Sequence, residues 1–329
     1  MVTWLRLSIT LLLCALLLIY VVDTRETLHT LLECDPAWTI AALAAFTIDR
    51  VLMSYKWGLL LNIRGYYLSL RMRLMVYCGA MMWGLALPST VGADGIRILL
   101  VRRLSVRVDD ALATILVERG IGFVSALLTA LTGLLVLRAL LPDLGTYDDA
   151  LLGGAALLVA AICVLAFSFS SASLSSLMRV LPRRLTHHRI GHLLTQLHEA
   201  YRSLAGDRRR LSAFAALTIT EQLLLVVCYG LVALALHVQF NAVFMFAAVP
   251  LAILISRLPI SLDGIGVYEG IFIAVMALGG VKPSDSLAIS LVARALQIVV
   301  WLPWWLMLAA RYGALRPPAD AEVAAAKRA

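Results

Sequence analysis

Long apolar runs recur along the whole chain, and they leave few folds open to it. Runs such as 38–61 and 287–310 have at least the roughly 20 residues that a helix needs to cross the hydrocarbon core of a bilayer. Apolar and polar residues do not alternate in these runs, as they would in the strands of a membrane barrel. With 62% hydrophobic and 15% charged residues, the composition excludes an ordinary soluble domain. The sequence therefore predicts an all-α polytopic membrane protein.

The charged residues predict how the spans are oriented. Basic residues are concentrated in alternate connecting segments, whereas the connections near 23–36 and 143–149 are acidic, and the basic segments of membrane proteins are the cytoplasmic ones. This pattern accounts for the net charge of +8 without a nucleic-acid partner. Both termini are thus predicted on the cytoplasmic side of the cell (inner) membrane. Six spans are expected, at 7–22, 38–61, 111–137, 151–169, 211–236 and 287–310.

Two further apolar segments are interrupted by proline and glycine. The run 74–87 stops at Pro88 and as a helix would be only about 21 Å long, too short for a hydrocarbon core of about 30 Å. Several arginines follow at once, and a full crossing would place them outside, so we predict a re-entrant hairpin that enters and leaves on the cytoplasmic side. The segment 242–280, which contains LPISLDGIGVYEG at 258–270, predicts a second hairpin from the opposite side. In the alternative, proline and glycine only kink two spans.

The two halves of the chain resemble each other. The matching residues lie 171 to 175 positions apart: Asp49 with Glu221, Pro88 with Pro259, and Arg119 with Arg294. Each half then has two spans, a hairpin and a third span, and the halves begin on opposite sides of the membrane. This inverted-topology repeat is typical of secondary transporters; chance similarity among Leu/Ala-rich helices is the alternative. The predicted division is a first repeat at 1–149, a second at 150–311 that includes an amphipathic cytoplasmic linker at 170–210, and a cytoplasmic tail at 312–329.

Glycines of the hairpins and charged residues of the spans are the candidate binding residues. A charged side chain at the bilayer centre costs about 2.5–3.5 kcal/mol, so it should face protein or water. Helix N-termini predicted after Gly95 and Gly266 would offer backbone N–H groups to a phosphate or carboxylate, and arginines can bind a phosphate through two hydrogen bonds. Asp49 and Glu221 are candidates for proton coupling. In the alternative, charged pairs such as Glu118 with Arg119, or Asp49 with Lys56, only hold the bundle together.

Other apparent motifs do not indicate a metal or a catalytic centre. The five cysteines are scattered, and the histidines between 187 and 198 have no acidic or cysteine partner in the pattern of a zinc site. No serine stands in a nucleophile arrangement. We therefore predict no metal, no cofactor and no catalytic residue, and the chain is not expected to be an enzyme.

Two paired segments resemble a known family. The first half contains LPSTVGADGIR at 87–97 and ATILVERGIGF at 113–123, and the second contains SRLPISLDGIGVYEG at 256–270 and SLVARALQIV at 290–299. Together they resemble the transmembrane domain of lysylphosphatidylglycerol synthases, the flippase-like family. The resemblance implies a role in moving phospholipids or glycolipids between leaflets. Because the chain ends before an aminoacyl-transferase domain, we expect no lysyl transfer.

The resemblance also implies which residues line the lipid path. They come from both hairpins and both third spans: Pro88, Gly92, Gly95, Glu118, Arg119, Pro259, Gly264, Gly266, Glu269 and Arg294. Arg257 joins them as a further basic residue that can contact a phosphate. The first copy has Arg97 and Ile98 where the second has Tyr268 and Glu269, which leaves the symmetry of any site open.

The sequence thus predicts a lipid translocator that works without ATP. A phosphate-bearing headgroup would pass between the two hairpins while the tails stay in the bilayer. The predicted partners are membrane lipids, either an anionic phospholipid or a polyprenyl-phosphate glycolipid. Two alternatives stay open: a lipid-binding scaffold for a lipid-synthesis enzyme, and a membrane-embedded transferase served by Glu269 and Arg257.

Overall fold

The fold is known from a computed structural model that describes residues 8, 12, 16, 24–85, 90–140, 147–170, 172, 189–256, 261 and 264–311. In these ranges the regular structure is helical. Eleven helices follow in chain order: α1 (Thr24–Leu32), α2 (Pro36–Ile63), α3 (Leu70–Gly84), α4 (Thr90–Arg102), α5 (Val108–Leu140), α6 (Tyr147–Ser168), α7 (Arg189–Leu204), α8 (Arg208–Ala235), α9 (Ala242–Ser256), α10 (Val267–Leu278) and α11 (Pro283–Arg311).

Several helices begin at a residue whose side chain caps the first turn. The Asp35 carboxylate accepts a hydrogen bond of 2.7 Å from the N–H of Ala37, and Pro36 opens α2 where no backbone donor is needed. Ser69 caps α3 in the same way, and Asp207 caps α8. The helix boundaries therefore follow from local chemistry as well as from the length of the apolar runs.

Five helices are long and apolar enough to cross a membrane, namely α2, α5, α6, α8 and α11. They match five of the six predicted spans, and the protein is an integral membrane protein. The remaining predicted span, at 7–22, lies largely outside the described residues. The remaining apolar helices, α3, α9 and α10, have 15, 15 and 12 residues and are shorter than a full crossing requires.

The region 23–36 was expected to be a loop, but it contains α1. This helix packs against the start of α11, where the Thr27 hydroxyl donates to the backbone oxygen of Ser284 and Glu26 pairs with Lys282. The hydrogen bond with the Glu26 carboxylate raises the pKa of Lys282. The acidic composition that indicated a loop thus belongs to a helix with polar contacts of its own.

Two central helices organise the packing. α2 and α8 lie side by side, α5 packs against α9, and α3 packs against α11. α3 also packs on α4, and α9 on α10, so each pair forms a compact unit beside the centre. A cluster of aromatic rings surrounds α10: the centroids of Tyr268 and Phe272 lie 5.9 Å apart, and those of Tyr229 and Tyr268 lie 5.8 Å apart.

The remaining helices lie at the edge of this bundle. α6 packs mainly against α5 and exposes large apolar side chains such as Leu152 and Val164, as a helix facing lipid would. α7 provides the amphipathic helix predicted within 170–210, and it buries Ala200 and Leu204 against the bundle. Much of the rest of that linker, and the tail at 312–329, lie outside the described residues. The division into two repeats stays a prediction.

Candidate functional site

A cavity of about 260 Å³ lies between α2, α3, α4, α5 and α8, and Trp301 of α11 also lines it. It has room for on the order of nine water molecules, and it is smaller than the usual site of a drug-sized ligand, which begins near about 300 Å³. Its wall is unusual for a membrane protein because four helices contribute charged side chains to it. These are Arg50, Lys56, Asp94, Arg97, Glu118, Arg119 and Glu221.

Arg97 of α4 is the most deeply enclosed cation of the wall, with 1% of its side chain exposed. Its guanidinium lies 4.6 Å from the ring centroid of Trp57 and 4.8 Å from that of Tyr77, and it forms an ion pair with Glu118. The Tyr77 hydroxyl donates to the same carboxylate at 3.0 Å. Hydrogen bonds and cation–π contacts thus compensate two buried charges, which would otherwise be costly to desolvate.

Sequence reasoning missed Arg97, because it was counted with the cytoplasmic arginines that follow. One signal pointed to it: Arg97 and Ile98 occupy the positions of Tyr268 and Glu269 in the second copy. In the predicted repeat, a charged residue in one hairpin segment therefore has a nearby charged counterpart in the other. The sequence around Arg97 does not indicate that its side chain is buried, because the rings that enclose it come from α2 and α3.

A second ion pair joins the two central helices. Lys56 of α2 pairs with Glu221 of α8, and its ammonium lies 3.3 Å from the hydroxyl of Thr218. Asp49 is fully buried and pairs with its neighbour Arg50, whose Nε donates to the carboxylate at 2.8 Å. The suggested pairing of Asp49 with Lys56 is therefore wrong, because the lysine reaches across to α8.

The pairing of Glu118 with Arg119 is also wrong. Glu118 faces Arg97, whereas Arg119 turns to Asp94 of α4, with Nη2 2.7 Å and Nε 2.9 Å from one carboxylate oxygen. Arg119 is 44% exposed, far more than the other charged residues of the wall. The two adjacent residues thus tie α5 to α4 through separate ion pairs.

The segment predicted to form the first hairpin differs from the prediction at the start of α4. α4 begins at Thr90, so Gly92 and Gly95 lie inside the helix and no helix N-terminus follows Gly95. Gly95 faces open space rather than a closely approaching backbone. Pro88 lies outside the described residues.

The segment predicted to form the second hairpin has the predicted helix start, since α10 begins directly after Gly266. Gly266 has a φ of +80° and Gly264 a φ of +73°, in the region that glycine adopts without strain. The N–H of Gly266 already donates to Glu269 at 2.6 Å, and the other oxygen of that carboxylate accepts from Arg294 at 3.1 Å. The N–H of Gly266 is therefore not available to a ligand in this arrangement. Arg257 and Pro259 lie outside the described residues.

The predicted site residues therefore form two groups rather than one. Glu118, Arg119 and Glu221 meet at the cavity, whereas Glu269 and Arg294 form a separate cluster beside α10 that does not line it. Within the described ranges, no three His, Cys, Asp or Glu side chains come together in a way that would hold a metal ion. The chemistry of the cavity is that of fixed, paired charges.

Comparison with known protein families gives a match over most of the chain. A family model described as the lysylphosphatidylglycerol synthase TM region matches residues 3–304. The matched range includes every charged residue of the cavity wall and both hairpin segments. Among curated proteins, none matches the chain at a significant level.

Proposed function

The chain belongs to the family of the lysylphosphatidylglycerol synthase transmembrane region, and from this premise we propose that it moves a phosphate-bearing lipid between the two leaflets of the membrane. The lipid is a phospholipid or a polyprenyl-phosphate-linked sugar. The observation that carries the proposal is the cavity wall with its seven charged side chains beside helices that cross the membrane. Such residues are expensive within a membrane and mark the paths of polar substrates.

The size of the cavity supports a headgroup as its occupant. About 260 Å³ is enough for a small polar group but not for acyl or prenyl chains. The tails would therefore stay in the bilayer while the headgroup passes through the protein. Lys56, Arg97 and Arg119 supply the cationic donors that phosphate oxygens bind.

An inverted repeat with two re-entrant hairpins, which we propose as the architecture, is supported by the helix contacts. In the proposed repeat α3 corresponds to α9, and α11 corresponds to α5. The contact between α3 and α11 therefore corresponds to the contact between α9 and α5, and the central helices α2 and α8, which contact each other, are also equivalent. In both halves an ion pair also joins the hairpin to the third span. It is Arg97 with Glu118 in the first half and Glu269 with Arg294 in the second.

The difference between the halves supports alternating access, in which one half rocks against the other. A cavity lies beside the first hairpin, whereas the second is packed by rings that include Tyr229, Tyr268 and Phe272. This arrangement corresponds to a transporter closed at the second hairpin.

We also propose that the protein catalyses no covalent step, because Asp94, Glu118 and Glu221 are each engaged by a basic partner. In the proposed orientation, both termini of the protein lie in the cytoplasm.

Transport can be tested in proteoliposomes with phospholipids labelled on an acyl chain. A membrane-impermeant reductant added outside bleaches only the outer leaflet, so transport appears as additional loss of fluorescence. Wild type is expected to accelerate this loss over protein-free vesicles. Arg119→Ala should slow transport by roughly ten- to a hundredfold, because a hydrogen bond to a charged group is worth about 1.5–3 kcal/mol.

Arg138→Ala is the matched control. Arg138 also pairs with an aspartate, Asp148, but both side chains are more than half exposed and lie away from the cavity. This variant is expected to transport at the wild-type rate. Failure of wild type to exceed empty vesicles with any labelled phospholipid and with a labelled polyprenyl-phosphate-linked sugar would contradict the proposed function. Equal loss in the two variants would contradict the role of the cavity.

A further inference from the structure

The charges of the cavity wall balance one another. Four cations each have a carboxylate partner: Arg50 with Asp49, Lys56 with Glu221, Arg97 with Glu118, and Arg119 with Asp94. With Asp49 included, the site therefore has no net charge. A phosphate that binds here adds a negative charge to a balanced site, and where it takes a cation from its carboxylate, the released carboxylate is left beside a second anion.

Two polar atoms of the wall point to what such a ligand needs. Arg97 Nε is buried and has no hydrogen-bond acceptor, and Gln222 Oε1 is buried and has no donor, among the residues that the structure describes. Arg97 and Gln222 have relative exposures of 1% and 2%, and both line the cavity. A ligand that satisfies both must offer an acceptor and an N–H or O–H donor.

We propose that the site takes a zwitterionic headgroup in which a phosphate and a primary ammonium stand close together. The inference rests on the proposed function and names its substrate class. The phosphate supplies acceptors to the cations, and the ammonium supplies both a positive charge for the released carboxylate and donors for Gln222. The charge of the occupied site then remains zero, whereas an anionic headgroup leaves one negative charge uncompensated.

Arg119 and Asp94 form the pair that opens to admit the headgroup. Arg119 is 44% exposed, whereas the other charged side chains of the wall are 13% exposed or less. Water therefore already solvates part of this ion pair, and its separation costs less than that of the enclosed pairs. In the bound state Arg119 contacts the phosphate and Asp94 contacts the ammonium.

The test is equilibrium binding of water-soluble short-chain lipids to the purified protein in detergent, measured by calorimetry. Short-chain phosphatidylethanolamine is expected to bind at least about tenfold more tightly than phosphatidylglycerol of the same chain length. Phosphatidylcholine, which keeps the charges but has no N–H donor, should fall between them. Free glycerophosphoethanolamine, which keeps the phosphodiester and the ammonium and has no net charge, should compete with the bound lipid, and inorganic phosphate should not.

A charge-removing variant sharpens the test. Asp94→Asn gives the site a net positive charge, so the preference for phosphatidylethanolamine over phosphatidylglycerol should fall to about one or reverse. Asp148→Asn removes an aspartate from the exposed pair with Arg138 and should keep the wild-type preference.

Tighter binding of phosphatidylglycerol to wild type, or equal competition by inorganic phosphate, would overturn the inference. Because binding is measured without transport, this failure is distinct from failure of the proposed function. If proteoliposomes move phosphatidylglycerol faster than the other phospholipids, the result supports lipid transport but refutes the zwitterionic headgroup.

Discussion

The ion pair between Lys56 and Glu221 offers the sharpest test of how the two central helices are held together. Its side chains are 3% and 7% exposed and belong to α2 and α8, which pack along each other. Glu221→Gln keeps the shape of the side chain and removes its charge. At a separation of about 2.8 Å and an effective dielectric constant of about 20, two unit charges attract by roughly 6 kcal/mol, part of which desolvation offsets. The free energy of unfolding should therefore fall by about 3–5 kcal/mol.

The same reasoning predicts that removal of both charges costs much less than removal of one. In the double variant Lys56→Met, Glu221→Gln, no uncompensated charge is buried, so the loss should be within about 1 kcal/mol of wild type. The measurement is a double-mutant cycle from denaturation by sodium dodecyl sulfate in detergent micelles, followed by tryptophan fluorescence. Glu26→Gln, at the exposed pair with Lys282, is the control and should leave the transition unchanged.

The cycle has a clear refuting result. If the loss of unfolding free energy in the double variant equals the sum of the losses in the two single variants, Lys56 and Glu221 are not energetically coupled. The charge balance of the cavity would then lose one of its four pairs. A loss of under about 1 kcal/mol in Glu221→Gln would contradict the burial of the lysine, because a solvated ammonium needs no counter-ion.

Two further predictions concern the start of α10 and the wall of the cavity. Gly264→Ala should lower the free energy of unfolding by about 1–3 kcal/mol, because φ is +73° and a Cβ would lie 2.7 Å from that of Ser256. In the control Gly270→Ala, the new Cβ meets open space within α10, so the free energy of unfolding should stay unchanged or rise by up to about 1 kcal/mol. Equal losses for the two variants in the same denaturation assay would contradict the role of the positive φ at Gly264. In a background without native cysteines, Met81→Cys at the cavity wall should react with a hydrophilic thiol reagent while fully buried Met276→Cys should not, as judged by mass spectrometry; the reverse order would contradict the cavity.

The apolar runs were sufficient to predict most of the helices. A run of about 20 apolar residues has few structural choices in a membrane, so α2, α5, α6, α8 and α11 follow from length and composition. The start of α10 was also predictable, because Gly266 supplies a positive φ directly before an apolar stretch. These features depend on local sequence, and a single chain contains that information.

The partners of the charged residues could not be predicted in the same way. Helical spacing identifies which residues share a face of one helix, but Lys56 finds Glu221 on another helix 165 positions away. Arg97 is enclosed by rings from α2 and α3 that no local pattern connects to it. The start of α4 at Thr90 was missed because its two glycines suggested a turn, although a helix that packs on α3 and α5 can contain them.

In the proposed inverted repeat, the exchange of charges between the halves explains how the two proposed hairpins can differ in what they do. In the second half Glu269 uses one oxygen to bind the start of its own helix and the other to bind Arg294, so the hairpin is tied at both points. In the first half the hairpin carries the cation instead, and Arg97 binds Glu118 while its Nε stays without an acceptor. This Nε, which has no acceptor among the described residues, is a buried donor for a phosphate oxygen on a residue that lines the cavity. On the proposed function, an inverted repeat of this kind has one hairpin that receives the headgroup and one that keeps the opposite side closed.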